Sequence, residues 1–166
     1  DSHRLWYYSI FHSISAFCNA GFSLFPDSLA GYRGCAGVYL VVCPLVILGG
    51  LGFGVLYDLG AVAGDRIVRI GRRFSRGPDR AFPRPPRRIG LQTKIVLCVT
   101  ASLIVGGMVL LFAFERLTRP ASAGGDFRLL DALFQSIAAR TAGFNTVDIA
   151  GLSDAGKLIL ILLMFI

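Results

Sequence analysis

Charged residues disappear from the chain twice: from Ala36 to Tyr57, about 22 positions, and from Ile95 to Phe114, about 20. Crossing the hydrocarbon of a bilayer takes roughly 20 apolar residues at the helical rise of about 1.5 Å, so each run predicts a transmembrane helix. A third apolar run opens near Leu158 and is unbroken at Ile166. Two shorter, mildly amphipathic runs, Tyr7 to Phe17 and Leu129 to Arg140, predict helices of about 11 or 12 residues, too short to span. From Gly64 to Gly90 the pattern fails. Pro78, Pro83, Pro85 and Pro86 stand there among arginines, which argues against a continuous helix.

The two short helical runs belong to an internal repeat. Phe11-His12-Ser13-Ile14-Ser15-Ala16-Phe17-Cys18-Asn19-Ala20-Gly21-Phe22 echoes Phe134-Gln135-Ser136-Ile137-Ala138-Ala139-Arg140-Thr141-Ala142-Gly143-Phe144. The offset is 123 at the Phe-x-Ser-Ile start and 122 at the Ala-Gly-Phe end, so the first copy carries one extra residue between helix and glycine.

Composition names the solvent. Hydrophobic residues make up 54% and charged residues 16%, against about a quarter charged in soluble domains, and a bilayer is expected. The net charge of +7 would suit nucleic acid if it were spread over a surface. Instead about ten Lys or Arg fall between Arg66 and Lys94. Short loops rich in Lys and Arg stay in the cytoplasm; inner-leaflet phosphates are their natural counter-ions, and nucleic acid is not expected. The segments near Asp27 and from Gly125 to Asp154 then lie outside. Each short helical run sits in a segment that begins and ends on that outer side, so each is expected to be re-entrant. The four cysteines lack C-x-x-C spacing and read as small apolar fillers.

The expected fold class is an all-α membrane protein of tandem repeats, each with outer helix, re-entrant pore helix, filter and inner helix, as in potassium channels. The chain divides into a pore helix, filter and outer loop (1–34), an inner transmembrane helix (35–60), a basic cytoplasmic linker (61–92), the next outer transmembrane helix (93–115), an outer connector with the second pore helix and filter (116–154), and the start of an inner helix (155–166). It opens on Asp1 without a leader pattern and stops inside a helical run, and is expected to be an internal fragment.

The chemistry is expected at the two glycine turns. Irregular backbone at membrane depth is tolerated only where it lines a watery cavity or is buried in protein. A helix entering from outside points its C-terminal, partially negative end inward, which favours a cation. Gly21 and Gly143 supply backbone angles that turn the chain while aiming carbonyl oxygens at one axis, and such carbonyls can replace the hydration shell of a potassium ion. The candidate ligands are the backbones of Asn19, Ala20, Gly21, Phe22, Thr141, Ala142, Gly143 and Phe144. Metal binding is thus K+ through carbonyls only, with no cofactor and with Na+ as a further candidate ion. Arg140, directly before the second turn, is expected to support the filter by pairing with a nearby acid or a pore-loop carbonyl. Asp27, Asp126, Asp148 and Asp154 read as outer acids, and His3 and His12 are not spaced as a metal pair. Gly49 to Gly54 lacks the spacing of a nucleotide loop and reads as close helix packing or a flexible point. Asp58 reads as interfacial, with an arginine of the linker as its candidate partner.

These residues carry a family resemblance. Ser15 to Phe22 and Ala139 to Thr146 resemble the pore loops of the Trk/Ktr/HKT potassium transporters. Ile47-Leu48-Gly49-Gly50-Leu51-Gly52-Phe53 through Leu59 resembles their inner helix after the second pore loop, and Gln92-Thr93-Lys94 the start of their next outer helix. The resemblance covers nearly the whole chain and departs at Cys18, where the family usually has Asn. It implies four non-identical repeats around one pore, of which this chain holds the end of the second and most of the third, in a multi-pass protein of the cytoplasmic membrane. It further implies potassium uptake without covalent chemistry, a homodimer, and a cytoplasmic nucleotide-binding regulatory subunit. Two rival classes stand beside it. A secondary transporter coupling a solute to Na+ or H+ would break full-length spans, and a membrane enzyme would need a carboxylate or histidine within a span, which neither complete run contains.

Overall fold

The computed structural model describes residues 2–74, 89–118, 127–140 and 142–165. Thr141 and much of the expected linker and outer connector lie outside the described residues. Those described are helical without strands: α1 (Ser2–Phe17), α2 (Ala36–Gly50), α3 (Phe53–Phe74), α4 (Leu91–Thr118), α5 (Leu129–Ala138) and α6 (Asp154–Met164), with a single 3-10 turn at Ala30–Tyr32. They fall into two compact units, one of residues 1–50 with 100–166 and the other of 51–99.

The first unit is organised around α5. Its 10 residues make a rod of about 15 Å, half the thickness of bilayer hydrocarbon. Asp131, Ala132 and Phe134 to Ala138 are all buried. One side of α5 joins a core with Ala16 of α1, Tyr39, Val42, Cys43 and Val46 of α2, and the buried Ala142 and Phe144. Its other side meets Leu111 of α4 and Leu160 and Leu163 of α6. Asp131, Gln135 and Ser136 are buried along with the apolar residues, while Leu129 and Leu130 at the start of the helix stay exposed.

Polar groups set where these helices start. Asp131 in the first turn of α5 accepts from the Arg128 N–H at 3.0 Å, which places a negative charge at the positive end of the helix. Ser153 precedes α6 and accepts from Gly156 N at 3.1 Å. The Glu115 carboxylate, buried near the end of α4, in turn accepts from Ser153 N at 2.9 Å and Ser153 Oγ at 2.7 Å.

α2 runs through Pro44 and stops at Gly50. The apolar run read as one helix over 35–60 is interrupted at Leu51 and Gly52, the latter at φ +80. In the second unit α3 is amphipathic, with Asp58, Asp65 and Arg69 along one face and Phe53, Tyr57 and Ile67 along the opposite one. Asp58 takes a partner other than an arginine of the linker: it accepts from Thr93 Oγ1 at 2.8 Å. α4, continuous through both units, has 28 residues, about 42 Å of helix. Only 17% of its most apolar 18-residue window is buried, the reverse of a core helix in a soluble domain.

Candidate ion-binding turns

The end of α1 is a Schellman motif. Ala20 N donates to Ser15 O at 2.9 Å and Asn19 N to Ala16 O at 3.2 Å. Asn19 takes the left-handed position at φ +52, where a short polar side chain is tolerated. In the orientation that satisfies its neighbours, the Asn19 amide donates to Val46 O at 3.2 Å and Ala16 O at 3.3 Å and accepts from Gly50 N at 3.0 Å. α2 is thereby fastened to the end of α1, and a Cβ on Gly49 would strike the Phe17 carbonyl oxygen and lie 2.9 Å from its carbon.

The second copy closes more tightly. Ala142 N donates to Ala138 O at 3.0 Å. Ala20 and Ala142 occupy equivalent positions, as do Ser15 and Ala138, so the extra residue of the first copy is absorbed by widening this one turn.

Neither glycine is the residue that ends its helix. Asn19 already fills the left-handed cap of α1, and α5 ends at Ala139 in a right-handed conformation. Gly21 at φ +70 and Gly143 at φ +68 come later, where a Cβ is disfavoured. The two glycines lie against each other. A Cβ on Gly21 would be 2.8 Å from Gly143 Cα and closer still to the Ala142 carbonyl oxygen; one on Gly143 would be 3.3 Å from Gly21 Cα. Two turns 122 positions apart in sequence are therefore packed backbone to backbone, each behind the partially negative end of a helix.

The surroundings of the turns differ. The Phe144 ring is 0% exposed and that of Phe22 70%, so only one of the two equivalent aromatics is used as core. The Phe22 carbonyl accepts from Ser15 Oγ at 2.8 Å, and its second lone pair is left for another donor or a cation. Gly143 is exposed and borders a groove of about 620 Å³ shared with Asn145, Gln135 and residues of α6. His12 braces the first turn: Nδ1 donates to Tyr8 O at 2.7 Å, Nε2 accepts from Leu24 N at 3.4 Å, and the ring stacks on Phe25 with centroids 4.9 Å apart.

Arg140 reaches α4. Its guanidinium donates to Thr100 O of α4 at 3.4 Å and lines a cavity of about 40 Å³; among the described residues this partner is a carbonyl of α4, where a nearby acid or a carbonyl of the loop after α5 was expected. A pairing that the sequence reading did not single out ties the segment before α2, and α2 itself, to the first turn of α5. Arg33 donates to Asp131 Oδ2 through Nε at 3.1 Å and Nη2 at 2.7 Å, and Tyr39 Oη donates to Asp131 Oδ1 at 3.1 Å. Burial pushes the Asp131 carboxyl up, but the Arg33 guanidinium, the Arg128 amide and the Tyr39 hydroxyl outweigh it and hold it below the ordinary value. The usable signal was the one charged residue of a short, mostly apolar helix, a carboxylate that when buried requires a cation nearby.

The family described as TrkH, cation transport protein, matches residues 1–166. This chain belongs to that TrkH family. The TrkH-family chain is 38% identical over 162 residues to Ktr system potassium uptake protein B of Bacillus subtilis, covering 95% of this chain and 31% of that protein. It is 38% identical over 164 residues to the protein of the same description from Vibrio alginolyticus, covering 96% and 31%. Against the potassium/sodium uptake protein NtpJ of Enterococcus hirae it is 35% identical over 164 residues, covering 98% and 31%. The chain spans about a third of the length of these relatives.

Proposed function

We propose that this chain supplies two re-entrant pore loops of a membrane protein that takes up potassium, with backbone carbonyls of Asn19 to Phe22 and Thr141 to Phe144 as filter ligands. The observation that carries the reading is the meeting of Gly21 and Gly143. Their contact leaves no gap between the two turns, so a cation served by both sits beside the pair, and further repeats of the full-length protein close its other side. The Arg140 guanidinium, held on α4, fixes the approach of the second loop while keeping its charge off the ion path. Transport of this kind needs no bond-making group, and the names of the relatives point to ion uptake and not to an enzyme. We place 61–92 on the cytoplasmic side and the loops toward the outside. A homodimer and a nucleotide-binding cytoplasmic subunit complete the assembly; the word "system" in the relatives' names speaks for further components.

Rubidium uptake by the full-length parent, in cells stripped of their own potassium transporters, tests this. Gly143→Ser should abolish most uptake at equal membrane abundance, and Arg140→Gln should lower it. Parental uptake by Gly143→Ser would end the filter assignment, and parental uptake and selectivity by Arg140→Gln would end the supporting role.

A further inference from the structure

The residues immediately after the two glycine-phenylalanine pairs, Ser23 and Asn145, occupy equivalent positions of the repeat, and one residue joins them. Phe25-Pro26-Asp27-Ser28 forms a β-turn closed by Ser28 N donating to Phe25 O at 3.2 Å, with proline at the second position, where its fixed φ fits. Ser28 leaves that turn at φ +55. In this conformation its carbonyl oxygen accepts from Ser23 Oγ at 3.2 Å and its hydroxyl oxygen accepts from Asn145 N at 3.2 Å. The next residue completes the hold: Leu29 N donates to Asn145 O at 3.0 Å. Both backbone groups of Asn145 are thus taken by the outer loop of the preceding repeat. Ser23 is anchored from the other side as well, with its Oγ 3.1 Å from His12 Nε2, so its single proton is shared between two acceptors.

A left-handed φ is unfavourable for a residue with a Cβ and easy for glycine. Serine at this position gains what glycine lacks, a side-chain acceptor aimed at Asn145.

We propose that Ser28 is a positioning residue that yokes the exits of the two filter turns and so sharpens discrimination between potassium-sized cations and sodium. The proposal rests on the filter reading above. Loss of the hydroxyl frees the Asn145 N–H, loosens the second turn where it leaves Gly143, and lets its carbonyls close on a smaller ion.

The test is rubidium uptake by the full-length parent and its variants, with sodium as competitor and uptake normalised to protein in the membrane. Ser28→Gly relieves the backbone and removes the acceptor; Ser28→Ala removes the acceptor alone. Both should take up rubidium more slowly and be inhibited by sodium about fivefold more readily, the worth of one hydrogen bond. Ser28→Asn, which tolerates the same φ and restores an acceptor, should recover discrimination. A parental sodium-to-rubidium ratio in whichever of the glycine and alanine variants reaches the membrane overturns the proposal. An unaffected Gly143→Ser protein would instead overturn the filter reading, so the two failures are distinct.

Discussion

Placing a methyl on each glycine in turn makes the sharpest use of the paired turns. Gly21 and Gly143 share nearly the same backbone conformation, so alanine at either costs a similar roughly 1–2 kcal/mol for the left-handed region. Their surroundings then separate them. The new Cβ of Gly21→Ala meets Gly143 Cα at 2.8 Å and presses on the Ala142 carbonyl oxygen, both of them backbone atoms that cannot swing aside. Overpacking of that sort adds about 1–3 kcal/mol. Among the described residues the Cβ of Gly143→Ala meets only Gly21 Cα, at 3.3 Å, and a shift of a few tenths of an ångström accommodates it. Gly21→Ala is therefore expected to be the worse of the two by about 1–3 kcal/mol, roughly a 5- to 150-fold difference in the fraction of molecules with intact turns. The assay is the thermal midpoint of the full-length parent in detergent, which ranks the variants independently of how each conducts. A Gly143→Ala protein as unstable as Gly21→Ala, or a Gly21→Ala protein with the parental midpoint, would refute the packing of the two turns.

Removing the cation of the buried pair, as in Arg33→Ala, leaves the Asp131 carboxylate unpaired and should lower stability by about 3–5 kcal/mol; replacing both partners by apolar residues should lower it less, as read from the same midpoints. Because the Asp131 carboxyl is held below the ordinary value of about 3.9, its charged form stabilises the folded chain. That contribution is complete above the ordinary value and is lost as pH falls from there through the folded one. Midpoints followed from neutral pH to about pH 3 should show an acid-side decline that is shallower in Asp131→Asn, and equal declines would remove the linkage. Ser153→Ala deletes the acceptor for Gly156 N and a donor to Glu115, and a loss of about 1–2 kcal/mol is expected; a parental midpoint would show that the α6 start is held by other groups.

The helices were legible because they are written in local pattern: charge-free runs and a short stretch rich in apolar residues. The two copies of Ala-Gly-Phe are read from the sequence itself. The pairing of Gly21 with Gly143 could be guessed only as membership of one ring, since nothing in the sequence encodes which atoms touch. Asn19 shows a subtler limit. Beside the ligand role proposed for its carbonyl, it is the left-handed residue that ends α1, a role normally sought in glycine. The break at Gly52 was legible in part: Gly49 to Gly54 read as close helix packing or a flexible point, but hydropathy is blind to backbone angles and joined 35–60 into one helix. Asp131 escaped notice because its partner Arg33 lies 98 positions away, a distance at which residue type alone suggests no pairing. Arg140 was expected to pair with a nearby acid or a carbonyl of its own loop, and finds the Thr100 carbonyl of α4 instead, because which helix lies within its reach is decided by packing.

The seating of Gly49 on the Phe17 carbonyl, with the Asn19 amide stitched to Val46 and Gly50, gives the first turn an unusual foundation for a loop. Its root is welded to the flank of α2, and any rocking or sliding of that helix drags the root along with it. The turn borrows the rigidity of a rod.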